Sequence, residues 1–162
     1  MAAIAAELPE DIRAVREVVK AIVDYLPDNV DHRGALANAA ALDGDPAAAW
    51  GHHEVNLRIF AMSRTVVTGA QGLAIGERRK ALAAGELETA EEWAERARSA
   101  LDAYLAKRPG DAWGFVLRGY TRLECGDIAA AEEDAAAARE IKPDEPGLSE
   151  LDGAIRSAKG GR

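Results

Sequence analysis

The chain has 162 residues, with 28 acidic side chains against 20 Lys and Arg, a net charge of −8, three histidines and one cysteine. A chain of this length buries roughly 70% of its extended surface in one core, so it needs neither disulfides nor a structural metal. The acidic balance excludes a general surface for nucleic acid or acidic membranes, and the single cysteine favours a reducing, cytoplasmic location.

Alanine dominates the apolar residues, which make up 48% of the chain while aromatic residues make up only 5%. Because alanine is the best helix former, this composition predicts helices. The first predicted helix covers residues 9–26 and ends at Pro27. Its apolar residues recur at helical spacing on one face: Ile12, Val15, Val19, Ile22, Val23 and Leu26. No partner helix precedes it, so we predict an N-terminal half repeat.

Three glycines recur every 41 residues, at Gly44, Gly85 and Gly126. Each ends one apolar-periodic run, and the next run starts five residues later. This pattern is typical of a C-cap glycine in a tight turn between two helices. The turn glycines therefore predict antiparallel helix pairs.

A second marker precedes each turn glycine by 17 residues, and its members are Pro27, Thr68 and Pro109. A proline just beyond a helix end stops that helix, so this marker separates one pair from the next. Together the two markers predict helix pairs near residues 30–68, 70–109 and 111–143.

The third pair resembles a tetratricopeptide repeat (TPR) across residues 112–144. Its small residues and closing proline fall on that family's signature positions: Gly119, Gly126, Ala131, Ala138 and Pro143. It departs at Phe115, where the family has Trp, and at Ala135, where a larger residue is usual. The resemblance implies an all-α fold, an α-solenoid of antiparallel helix pairs in one domain over residues 1–158. About three TPR-like repeats would follow the half repeat, with a C-terminal capping helix over residues 145–158 and a flexible tail over 159–162.

The first two pairs are longer than the family's period of 34 residues, by seven residues each. Because the interval from the second marker to the turn glycine is constant, we place the extra residues in the second helix of each of those pairs. Seven residues add about two turns, which keeps the buried face of the helix in phase.

The resemblance also implies that the first helices of successive pairs line a concave groove, which receives a peptide segment or a helix of a partner protein. Counting from the turn glycines gives these groove residues: Asn38, Ile75, Arg79, Trp113, Val116 and Tyr120. Trp113 and Tyr120 combine apolar area with a polar tip, as binding hot spots do. The alternative is that Trp113, Val116 and Tyr120 pack on the preceding second helix as core. Arginines concentrate on the first helices and favour an acidic ligand, unless they form surface ion pairs that contribute little.

His53 and Asn56 fall on the apolar line of their helix, which predicts polar side chains that are buried and hydrogen-bonded. The neighbouring His52 and His53 point about 100° apart on a helix and cannot share an ion, so we predict no metal and no cofactor. A small-molecule or metal site around His53, Asn56 and His32 is the least favoured alternative.

No enzyme signature is present, and Cys125 has no histidine near it in sequence, which favours a buried thiol over a nucleophile. The sequence therefore predicts a noncatalytic adaptor or scaffold whose groove binds a protein partner. The alternative is a structural subunit that forms a homo-oligomer, or docks on a larger complex, through the helix over residues 9–26.

Overall fold

The structure is a computed structural model that describes residues 29–161, together with Ala14, Glu17, Val18 and Ala21. Those four isolated positions are helical, and the rest of the predicted opening helix over residues 9–26 lies outside the described residues. The described part of the chain forms seven α-helices. They are α1 (Val30–Leu42), α2 (Pro46–Ile59), α3 (Arg64–Ala84), α4 (Leu87–Lys107), α5 (Ala112–Glu124), α6 (Ile128–Ile141) and α7 (Leu148–Gly160).

The chain divides into two compact units, an N-terminal unit that ends at Leu73 and a C-terminal unit that begins at Ala74. In the N-terminal unit α1 packs against α2. Asn29 caps α1, since its Oδ1 accepts the amide of His32 at 3.0 Å, and Asp45 caps α2 by accepting the amide of Ala48 at 2.9 Å. Small buried residues let these helices approach closely. The core of the unit comprises Leu36, Ala37, Ala39, Ala40, Ala49, Val66, Val67 and Ala70.

The three predicted turn glycines are confirmed. Gly44, Gly85 and Gly126 have φ values of 78°, 78° and 85°, in the left-handed region that glycine adopts without a steric cost. After each of them, the next amide donates a hydrogen bond of 2.9 Å to the carbonyl oxygen five residues earlier in the chain. This bond satisfies a carbonyl group at the helix end, so all three turns close their helix pairs in the same way.

The prediction that both extra segments lengthen second helices is wrong for the first pair. Helix α2 ends at Ile59, and α3, the first helix of the next pair, has 21 residues and contains Thr68. The amide of Phe60 closes α2 by donating to the carbonyl oxygen of Asn56 at 2.7 Å, and Ser63 Oγ accepts the amide of Val66 near the start of α3. Unlike a proline, Thr68 keeps its amide hydrogen and so continues a helix.

In the second pair the second helix, α4, has 21 residues, as the sequence predicts, but the first helix, α3, has the same length. The pair boundaries near residues 30–68 and 70–109 therefore shift, because the first two pairs occupy Val30–Ile59 and Arg64–Lys107.

The C-terminal unit packs α4 on α5, α5 on α6, and α7 on both α5 and α6. Its central cluster consists of Ala112, Val116, Ala131, Ala135, Ala138, Leu148, Leu151 and Ile155. Helix α7 takes the place of the predicted cap over residues 145–158 but starts after the left-handed Gly147 and continues to Gly160. Lys159, predicted to lie in the tail, is helical, and its ammonium group pairs with the carboxylate of Glu132 on α6. That ion pair holds the last turn against its neighbour.

Candidate functional site

The predicted groove residues differ in exposure. Asn38 on α1 and Arg79 on α3 are exposed, and Trp113 and Tyr120 on α5 are half-buried. Ile75 and Val116 are core residues, with exposed fractions of 6% and 5%.

Val116 is buried because the turn before α7 covers it. A Cβ placed on Gly147 would lie 3.3 Å from Val116 Cγ1. A side chain buried in the protein's own core offers a partner little area. Val116 and Ile75 are therefore the weakest candidates among the predicted contact residues.

Trp113 is held against a buried tyrosine. The indole ring meets the Tyr104 ring edge-on, with centroids 5.7 Å apart and an interplanar angle of 78°. Tyr104 is 1% exposed, and its hydroxyl donates to the carboxylate of Asp111, the residue that precedes α5. Gly114 makes room for this contact, because a Cβ there would lie 2.9 Å from Tyr104 Cε1. Trp113 is thus a half-buried aromatic residue that packs on a buried support.

Tyr120 lies two helical turns after Trp113 on the same face of α5. Its hydroxyl donates to the carbonyl oxygen of Gly147 at 3.3 Å, and its ring packs against the central cluster. Burial, and then the charge of Glu150, raise the pKa of Tyr120 above its ordinary value. The hydroxyl therefore remains a hydrogen-bond donor at neutral pH.

Arg79 on α3 and Arg118 on α5 form ion pairs within the protein. Arg79 Nε lies 2.8 Å from Glu124 Oε1, and this hydrogen bond raises the pKa of the Arg79 guanidinium. Arg118 binds Asp102 at 2.6 Å and Asp134 at 2.7 Å. These carboxylates already pair with Arg79 and Arg118, so an acidic partner would have to compete with them for these two arginines.

His53 and Asn56 are buried on α2, as predicted, with exposed fractions of 7% and 2%. Asn56 Nδ2 donates to the carbonyl oxygen of Val30 at 3.1 Å. Its other polar atom, Oδ1, is buried and has no hydrogen-bond partner in the described part of the chain. The prediction of full satisfaction is therefore right for the amide nitrogen and wrong for the oxygen.

Acid is expected to destabilise the fold through His53. Burial, and then the charge of His52, lower the pKa of His53 in the folded state below the ordinary value of 6.5. As the pH falls through 6.5 the unfolded chain binds the proton first, so the free energy of unfolding decreases. Above that pH the imidazole is neutral in both states and has no such effect.

Urea unfolding of the wild type and of His53→Gln at about pH 7.5 and about pH 5.5 tests this expectation. The loss of stability between the two pH values should be smaller in His53→Gln. In His52→Gln, which removes only the second cause of the shift, the loss should stay larger than in His53→Gln. Equal losses in all three proteins would contradict the assignment.

Other chemical groups in the described residues give no sign of a reactive centre. No group of three or more His, Cys, Asp or Glu side chains within that part lies close enough to hold a metal ion. Burial raises the pKa of the Cys125 thiol, which disfavours the thiolate that a nucleophile requires. Within the same residues, no helix is both long enough and apolar enough to cross a membrane.

Comparison with known proteins gives a match at the level of structure. No protein-family model matches the chain, and no curated protein matches it. Among solved structures it is similar to one described as "MamA RS-1 ArsTM double mutant", with a TM-score of 0.54 over 94% of this chain and 86% of that chain. The fold is TPR-like. At 15% identity the likeness is one of fold, and it agrees with the all-α class of paired helices that the sequence predicts.

Sequence reasoning missed the support beneath Trp113 and the unpaired oxygen of Asn56. A signal for the first was present, since Tyr104 and Asp111 flank the loop that leads into α5. The second had no local signal, because only the packing of α1 on α2 determines which atoms of a buried amide find partners.

Proposed function

We propose that this chain is a noncatalytic protein-interaction module that binds a segment of a partner protein through the exposed part of the α5 face. The observation that carries the proposal is Trp113, a half-buried residue whose indole ring packs edge-on against a fully buried tyrosine. Aromatic side chains on rigid supports lose little conformational entropy on binding, and Trp and Tyr are enriched among hot spots. Tyr120 extends the same face by two turns.

Asn38 and Arg79 remain secondary candidates, because both are exposed first-helix residues. Asn38 offers an amide that both donates and accepts hydrogen bonds, which suits a peptide backbone. Arg79 would have to exchange its bond to Glu124 for one to the partner, so we expect it to contribute less than Trp113. The cytoplasm stays the proposed location, on the strength of the single cysteine.

Replacing Trp113 with leucine is expected to weaken partner binding by at least about tenfold, the size of effect typical of a hot spot. Leucine keeps apolar contact with Tyr104 but removes most of the exposed ring. The partner is captured from the native source with the wild type, purified, and titrated against each variant by calorimetry.

Trp50→Leu is the matched control, since Trp50 is a half-buried tryptophan on α2, outside the α5 face. Thermal melts of both variants show whether the fold is retained. Equal affinities of folded Trp113→Leu and wild type would refute the α5 face as the binding surface.

Assembly through the helix over residues 9–26 stays a prediction, because that helix lies almost wholly outside the described residues. The mass of the protein in solution, measured by sedimentation, tests it.

A further inference from the structure

A cavity of about 380 Å³ opens in the N-terminal unit between α1, α2 and the beginning of α3. Exposed Asp31 and Asn38 lie on its rim, and the buried His53 and Asn56 form its floor. Gly34 on α1 also lines it, and a Cβ built there would meet nothing within 4 Å. Its volume is within the range of small-ligand sites, which is roughly 300 to 1,000 Å³.

The floor contains two buried polar side chains, those of His53 and Asn56. Asn56 is 2% exposed, and its Oδ1 is buried without a partner in the part of the chain that the structure describes. An unpaired buried acceptor destabilises the fold, and a donor group of a ligand would supply the missing hydrogen bond. His53 is neutral at pH 7 because burial lowers its pKa, and a neutral imidazole has one nitrogen that accepts.

The rim presents negative charge. Asp31 supplies a carboxylate, and the described lining contains no Lys or Arg to balance an anionic ligand.

We propose that this cavity binds a cationic N–H donor on an alkyl chain, that is, an alkylammonium or alkylguanidinium group. Asp31 supplies the opposite charge, and Asn56 Oδ1 accepts a hydrogen bond at the floor. A Lys or Arg side chain of a peptide and a free small amine share this chemistry. The cavity lies in the N-terminal unit, so its test is independent of the test on the α5 face.

In the first experiment the full chain is titrated separately with n-butylammonium, n-butylguanidinium, butyrate and butanol. Binding is monitored by NMR through the amide resonances of the protein. We expect the two cations to shift resonances of α1 and α2 around the cavity with a Kd of about 1 mM, a typical affinity for a fragment. Butyrate and butanol should bind at least about tenfold more weakly. Stronger binding of butyrate would overturn the proposal. So would cation-induced shifts centred on the acidic face of α4, which is formed by Glu88, Glu91, Glu92 and Glu95.

Gly34→Leu should fill the cavity and weaken cation binding by at least about tenfold. The change adds a good helix former at an interior helical position with open space, so the fold should be retained. Gly72→Leu is the matched control, because Gly72 is helical and exposed, has open space around a Cβ, and does not line the cavity. Undiminished binding to folded Gly34→Leu would refute the site.

A second arm distinguishes the two sources of the cation. A short peptide with blocked ends and one central Lys is titrated beside n-butylammonium. Tighter binding of the peptide identifies a protein side chain as the ligand, and equal or weaker binding identifies a small amine. Either result supports the shared chemistry, and failure of both probes to bind overturns it.

Discussion

Asp134→Ala is expected to lower the free energy of unfolding by about 3 kcal/mol, the low end of the cost of breaking a buried ion pair. Asp134 on α6 is 1% exposed, and its two oxygens lie 2.7 Å from Arg118 Nη2 and 3.1 Å from Arg122 Nη1. Removing the carboxylate leaves both guanidinium groups of α5 partly desolvated without their shared partner. Arg118 keeps its bond to Asp102, which is why the low end of the range applies.

Asp152→Ala provides the control for this experiment. Asp152 pairs with Arg139 at 2.6 Å, but the side chains are 28% and 48% exposed, so its removal should cost less than about 1 kcal/mol. Urea unfolding followed by far-UV circular dichroism measures both variants. If both variants lost a similar free energy of unfolding, burial would not be the reason that the ion pairs of Asp134 stabilise the fold.

The helix pairs were predictable because each turn between paired helices requires a glycine at one position. A residue with φ near +80° after a helical run must be glycine in practice, so the spacing of Gly44, Gly85 and Gly126 located three turns. The start of α3 was missed because Thr68 was aligned with prolines by interval alone. Ser63, a residue type that commonly caps helices, was the better local signal.

The surface was less predictable, because neighbours that are distant in sequence decide which residues of a helix are covered. Val116 sits at a groove position of its repeat, yet the turn at Gly147 buries it. Asp134 follows Glu132 and Glu133 and looks like part of a solvated acidic face. It is buried because it pairs with Arg118 and Arg122 on α5. The helical periodicity of the α6 sequence alone cannot predict a contact with another helix.

Leu151→Ala is expected to cost about 2–5 kcal/mol, the range for truncating a fully buried leucine. Leu151 is 0% exposed and belongs to the central cluster that joins α7 to α5 and α6.

Leu151 Cδ2 approaches α5 at Gly119, where an added Cβ would lie 2.7 Å away. Gly119→Ala should therefore cost about 1–3 kcal/mol by overpacking, although alanine favours helices by about 1 kcal/mol over glycine.

The two changes should compensate each other when they are combined. Leu151→Ala removes the atom that the methyl group added by Gly119→Ala would strike, so the second change then fills part of a cavity and adds helix propensity. We expect the double variant to be more stable than the sum of the single losses predicts, by at least about 1 kcal/mol. Urea unfolding of the four proteins gives this coupling energy directly. Additivity within about 0.5 kcal/mol would show that α5 and α7 do not pack through this contact, and would remove the reason for a glycine at this position of α5.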